Sequence, residues 1–229
     1  MKKGIAVAGN LTVDFVKFIE SYPPEQTLTT ITSVERTVGG LCCNCVLALA
    51  RLDPCLPVKA IGLVGRDEAG DYILSRFAEH PSIDSSRIGR EGTTSYTDVM
   101  TQRSTGIRTF FTFRGANALL GPEHFSLNDL NAGILHVGYV LLLDRLDAPD
   151  EEYPTAMCRV LDAAQKAGIR TSIDVVSEDS GRYPKVLLPA LPYTDYCIIN
   201  EIEASRAVGI PLRDGQDRVI EKNLPVVCQ

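Results

Sequence analysis

No apolar run in the 229 residues approaches the ~20 that a membrane span requires. Lys2 and Lys3 resemble the basic start of a secretory signal. The apolar stretch Gly4 to Gly9 is short, however, and leads straight into polar Asn10, Thr12 and Asp14, so no signal peptide is expected. Basic residues are outnumbered, 23 Lys and Arg against 29 Asp and Glu, for a formal net charge of −6. A nucleic-acid or anionic-membrane partner would favour a basic face, so neither is expected. Phosphate is not excluded by this, because backbone amides at helix starts hold it without surface charge. Neither a G-x-G-x-x-G stretch nor a P-loop occurs, which disfavours a nucleotide or dinucleotide fold of those kinds. Only three histidines are present, His80, His124 and His136, too scattered to build a Ser/His/Asp arrangement. No internal repeat or low-complexity segment is found.

What is present is ordinary for a soluble globular chain. Hydrophobic residues make up 45% and charged residues 23%, which argues against disorder and supplies a substantial core. Seven cysteines, an odd number at irregular spacing, fit a reduced cytoplasmic chain. Cys42 and Cys45 have C-x-x-C spacing, but no second pair or nearby histidine completes a zinc site. A redox pair would need a reactive thiol at an exposed helix start, so packing of small side chains is the expectation.

Short apolar runs at Ile5 to Ala8, Val58 to Val64, Ile134 to Val137, Ile169 to Ile173 and Tyr196 to Ile199 predict buried strands. Helical spacing predicts helices over Cys42 to Leu52, Glu68 to Ala78, Glu151 to Ala167 and Glu201 to Val208, the last two stopped by Gly168 and Gly209. Strands alternating with helices imply a mostly parallel sheet covered on both sides. Ligands of such sheets bind beyond the carboxyl ends of the strands. Two segments break the rhythm: Phe15 to Val38, with threonine-rich Thr27 to Val34, and Thr93 to Phe113, with strand candidates Ser95 to Thr101 and Ile107 to Phe113. They read either as a small separate β-sheet lying over the site or as edge strands of the main one.

The candidate functional residues follow the strands. Asp14, beyond the first, can accept hydrogen bonds from two vicinal hydroxyls, as a sugar offers. Gly39 and Gly40 open the first strong helix and permit close substrate approach, with Asn44 one turn in; a plain glycine turn before a helix fits the same residues. Asp67, at the end of Gly62-Leu-Val-Gly65-Arg-Asp67, is a plausible N-cap. Asn200 and Glu203 are one turn apart and can present oxygens to magnesium shared with a nucleotide's phosphates. On spacing alone they read better as a capping box.

Together these pieces resemble the ribokinase-like (PfkB) carbohydrate-kinase family. The resemblance rests on Gly9-Asn10 with Asp14 beyond, on Gly39-Gly40-Leu-Cys-Cys-Asn44, and on Ile61-Gly-Leu-Val-Gly65-Arg-Asp67-Glu-Ala-Gly70. It continues in Arg114-Gly-Ala-Asn117 and Asn200-x-x-Glu203, in the family's order over nearly the whole chain. It implies an α/β fold, a mostly parallel central sheet flanked by helices with a small β lid. Asp14, Gly39, Gly40 and Asn44 become sugar contacts, and Arg114 and Asn117 help enclose the substrate. Asn200 and Glu203 place ATP phosphate and Mg2+, with Glu203 nearest the metal.

Two departures matter. The family's Asp-x-Asn-x-Arg stretch reads Asp174-Val-Val-Ser-Glu178 here, with an acid where an arginine would favour phosphate. No Gly-Ala-Gly-Asp tetrad, the family's anion hole and catalytic base, follows Glu203. Residues 1–229 are therefore expected to form one domain incomplete at its C-terminus, with lid segments at about 15–38 and 93–113. The expected function is ATP-dependent phosphorylation of a sugar or sugar acid, inactive in this chain alone; the alternative is a non-catalytic sugar-binding fragment. Arg103, Arg108 and Arg114 near the lid lean toward an acidic sugar, although solvated arginines explain them as well. A lid sheet with unpaired edges gives a homodimer a route.

Overall fold

In the computed structural model, residues 4–216 and 218–227 are described; Met1, Lys2, Lys3, Asp217, Cys228 and Gln229 lie outside them. The strands are β1 (Ile5–Gly9), β2 (Thr12–Ile19), β3 (Ile31–Gly39), β4 (Val58–Val64), β5 (Ile83–Arg90), β6 (Ser95–Gln102), β7 (Arg108–Phe113), β8 (Ile134–Val140), β9 (Arg170–Val175) and β10 (Tyr196–Ile198). The helices are α1 (Gly40–Leu52), α2 (Glu68–Ala78), α3 (Asp144–Asp147), α4 (Ala156–Lys166), α5 (Tyr183–Ala190), α6 (Glu201–Val208) and α7 (Leu224–Val227).

Six strands form one sheet in the order β10-β9-β8-β1-β4-β5, every pairing parallel. Alternation along its strands builds two cores. Val7, Val58, Ala60 and Val64 pack with Leu41, Val46 and Leu47 of α1 and with Ile73 and Phe77 of α2. Ala6, Ala8, Ile61 and Leu63 face the other way, into a layer holding Met157, Val160 and Leu161 of α4 and Val186 and Leu187 of α5. This three-layer α/β arrangement is what near-continuous apolar strands demand, since both faces of each must be covered.

The remaining strands form their own antiparallel and parallel sheet, β3-β2-β6-β7. The segments that broke the α/β rhythm are thus neither helical nor inserted in the main sheet.

Local chemistry explains most element ends. Asp67 caps α2 by accepting from Gly70 N at 2.8 Å, with Glu68 and Asp71 in the first turn and Arg76 in the last, charges that suit the helix dipole. The long helix expected from Glu151 begins only at Ala156. Asp150 draws Glu152 N and Tyr153 N into a local turn at 3.0 and 3.2 Å, Pro154 follows, and Thr155 is the true N-cap. Among the elements without a sequence signal are β5 and α5. The first is a polar edge strand, half-buried along most of its length; the second carries Pro189 inside it.

Candidate active site

The order β8-β1-β4 marks the point where connections leave the centre of the sheet in opposite directions, the place where parallel sheets open a crevice. Asn10, just past β1, bridges it: Oδ1 accepts from Tyr139 N at 2.9 Å, and Nδ2 donates to Leu142 O at 3.4 Å. Above the crevice stands the four-stranded sheet, and between them lies a cleft of about 890 Å3. Its walls include Asn10, Asp14, Asn44, Thr97, Tyr139 and Glu203.

Asp14 sits on β2 in register with Thr37, and Thr97 of β6 faces it from the other side. Thr12 donates to its Oδ1 at 3.1 Å. Burial pushes its pKa up, and the Thr12 and Thr97 hydroxyls oppose that rise by hydrogen bonding to the charged form. Gly39 is there because a side chain has no room: a Cβ would lie 2.1 Å from Asp14 Oδ2. Gly40, at φ 80°, turns the chain from β3 into α1 beside Asn10. Asn44 follows one turn on, exposed at the cleft and close enough to hydrogen-bond the Tyr139 hydroxyl.

Asn117 and Arg114 reach the cleft differently. Asn117 is buried, accepting from Leu11 N at 3.0 Å and donating to Leu11 O at 3.2 Å. This clamps the peptide just ahead of Thr12 and fixes where Asp14 emerges. Arg114 lines the cleft but pairs with Asp144 at 2.8 Å. Of the three arginines suggested for a carboxylate, Arg108 faces the cleft without a carboxylate partner among the described residues. Arg103 lies elsewhere, over the Phe18 ring at 5.0 Å and bonded to Ser33.

Asn200 and Glu203 form a complete capping box. Asn200 Oδ1 accepts from Ile202 N and Glu203 N, and Glu203 Oε2 accepts from Asn200 N at 3.0 Å. Asn200 is not part of the cleft lining, whereas Glu203, only 6% exposed, is. Its Oε1 accepts from Ser177 at 2.7 Å. The Glu178 that stands where an arginine was expected also lines the cleft, with Arg182 3.2 Å from it.

Asp174, at the end of β9, had been singled out only for its context. Its Oδ1 is buried without a hydrogen-bond partner, and burial together with the charge of Glu203 pushes its pKa up to about 7. His136 Nε2 lies 4.0 Å away, but burial holds that imidazole's pKa below its ordinary value, so it brings little positive charge. Asp174 is absent from the cleft lining, and among the described residues no group of three or more His, Cys, Asp or Glu is placed to hold a metal ion. Asn10, Thr97 and Tyr139 were not expected; they are common residue types whose proximity comes only from the sheet crossing. The described cysteines are all free, with Cys42 and Cys43 fully buried in the α1 packing.

The sequence profile of the pfkB family carbohydrate kinases matches residues 2–224. The chain belongs to the pfkB family. Solved structures share its fold. One is an Arabidopsis thaliana ribokinase complexed with ribose and ATP, 23% identical, matched over all of this chain and 69% of its own at a TM-score of 0.72. A second is a Xylella fastidiosa fructokinase with bound ATP, 22% identical over 91% of this chain and 64% of its own, with a TM-score of 0.69. A ribokinase from Giardia lamblia is 19% identical over 94% of this chain and 63% of its own, with a TM-score of 0.70. No curated protein matches the chain. Among the described residues of this pfkB-family chain, no helix is long and apolar enough to cross a membrane.

Proposed function

We propose that the cleft between the two sheets is the acceptor site of an ATP-dependent carbohydrate kinase, with the four-stranded sheet as its lid. The lid segments then run at about 15–38 and 93–113 of one domain. The observation that carries this is Asp14: a carboxylate on the wall of a cleft of about 890 Å3, held by Thr12 of its own strand and Thr97 of β6, with Asn10 and Asn44 within the same walls. Ionised, it accepts from two hydroxyls of one sugar, while the asparagines offer donors and acceptors to the rest. Arg108 in the cleft supports a sugar acid as the preferred acceptor.

Glu203, on the cleft wall, is the residue that would help hold Mg2+ together with oxygens of the nucleotide's phosphates. A bound magnesium neutralises phosphate charge and orients the transferring group. This chain's own part is to hold the acceptor hydroxyl in place and to cover it against water. The base is not assigned to any residue here, because no Gly-Ala-Gly-Asp tetrad occurs in the sequence. The 229 residues are accordingly proposed to bind the acceptor without turning it over, in a reducing cytoplasmic setting.

Calorimetric titration with ribose, fructose and gluconate tests the site, alongside coupled ADP release. Binding of at least one acceptor is expected. Asp14→Asn should weaken it about tenfold or more, the scale of a lost charge-assisted hydrogen bond, with the fold intact by circular dichroism. Unchanged binding in Asp14→Asn would remove the acceptor site from this cleft. Sugar-dependent ADP release would make Asp174 the candidate base.

A further inference from the structure

A second cavity, of about 440 Å3, shares Asn44 with the cleft but is otherwise distinct from it. Three arginines from three elements converge on it: Arg36 from β3, Arg51 from α1 and Arg76 from α2. In a chain of formal net charge −6, such a concentration of guanidinium groups around one concavity is not the average surface.

The groups are partly preorganised. The Arg36 guanidinium lies 4.1 Å over the Tyr72 ring, and the Tyr72 hydroxyl donates to the Arg36 carbonyl at 3.2 Å. Strand and side chain are thereby pinned together. Arg36 also meets Glu68 at 2.7 Å, and Arg76 meets Glu79 just past the end of its helix, but these carboxylates are 86% and 49% exposed. Exposed pairs of this kind contribute ~0–1 kcal/mol and yield readily to a better acceptor. Arg51, in the last turn of α1, has no carboxylate partner among the described residues.

A phosphate dianion is that better acceptor, since its oxygens match the planar fork of arginine in two-point contacts. The cavity is larger than one phosphate requires. Its remaining wall offers apolar Val38 and Leu47 with the Thr37 hydroxyl and the Asn44 amide, a lining for a short hydroxylated carbon chain. We propose that this cavity binds a small phosphorylated polyol, its phosphate held by Arg36, Arg51 and Arg76. Because Arg36 stands on the four-stranded sheet and the other two on body helices, the bound phosphate ties the base of β3 to α1 and α2.

Titration calorimetry of the full chain at low salt, with glycerol 3-phosphate and with inorganic phosphate, is the test. Glycerol 3-phosphate is expected to bind more tightly than phosphate. Arg51→Gln and Arg76→Gln should each weaken it about tenfold, as loss of a charge-assisted hydrogen bond implies. Arg51→Lys, which keeps the charge and loses the fork, should fall between. Asp14→Asn, in the other cleft, should leave this binding unchanged, and hydrogen exchange over β3 should slow on addition of the ligand. Binding lost in Asp14→Asn and retained in the arginine variants would place the phosphate in the acceptor cleft and overturn the proposal. Equal affinity for the two probes would overturn the polyol, and absence of binding would reduce the arginines to solvated surface.

Discussion

At the scale of single residues, the molecule separates side chains that offer themselves to a ligand from those that hold others in place. Asp14 was expected to contact a sugar and Asn117 to help enclose it; both line the cleft, but the Asn117 side chain is engaged with the Leu11 peptide. Sequence names the residue types; only burial and partners distinguish the roles. Asp147 extends this to a residue with no sequence signal. It is buried, with Oδ2 accepting from Leu143 N at 3.1 Å and Oδ1 without a partner. Burial pushes its pKa up to about 6, against the pull of the Leu141 and Leu143 amides and Arg182. A carboxyl whose folded pKa exceeds its unfolded value binds more protons in the folded state. Its contribution is fully present below the unfolded pKa, near 4, and is lost as pH rises through about 6. Asp147→Asn cannot ionise and keeps an oxygen for Leu143 N. Relative to the wild type, the variant should therefore gain stability between about pH 4 and pH 7, read as the difference in urea-unfolding free energy. A difference that stays flat across that window would mean the Asp147 carboxyl titrates normally.

At the scale of elements, legibility followed the strength of local chemistry. β4, α2 and α6 lie where the apolar runs and caps put them, to the residue. β5 escaped because an edge strand bearing Asp84, Arg87 and Arg90 has no apolar alternation to read. α5 escaped because two prolines argue locally against a helix that packing of Val186 and Leu187 nonetheless supports. The Asn200/Glu203 pair shows how one spacing serves two purposes: the capping box forms, and it delivers Glu203 to the cleft wall. Asn200→Ala, which leaves the Ile202 and Glu203 amides without their acceptor, should cost ~1 kcal/mol of stability. Asn200→Asp, which restores the acceptor, should recover most of it. Chemical denaturation of the pair of variants measures this. If alanine costs nothing, the cap is not holding α6, and Asn200 is free to serve the ligand directly.

At the scale of the whole molecule, the question is which sheet edges are protected. There are four. β5 carries ion pairs along its length, Asp84 with Lys59, Arg87 with Asp129 and Arg90 with Asp71; β3 carries Glu35 and Arg36. Charges of this kind discourage edge-to-edge pairing. β7 is different: all six of its residues are exposed, among them Phe110, Phe111 and Phe113. On its outer face Phe113 meets Tyr96 at a ring separation of 5.3 Å, and Tyr96 meets Phe15 at 6.3 Å, an aromatic patch with no cover in the monomer. β10 is a three-residue edge with no charge, Tyr196 and Ile198 being 43% and 63% exposed. A largely apolar edge is a template for another strand. β7 is the longer and the more aromatic, so it should dominate association and give a dimer through the four-stranded sheet, with β10 adding higher species. Light scattering behind size exclusion should show apparent mass rising with concentration above the 25.0 kDa of one chain. Phe111→Lys should remove most of that rise and Ile198→Lys the remainder. Both side chains are exposed, so neither change should unfold the protein. If Ile198→Lys alone abolished association while Phe111→Lys had no effect, the contact would run through the main sheet. The four-stranded sheet would then be free to move over the cleft without a partner holding it.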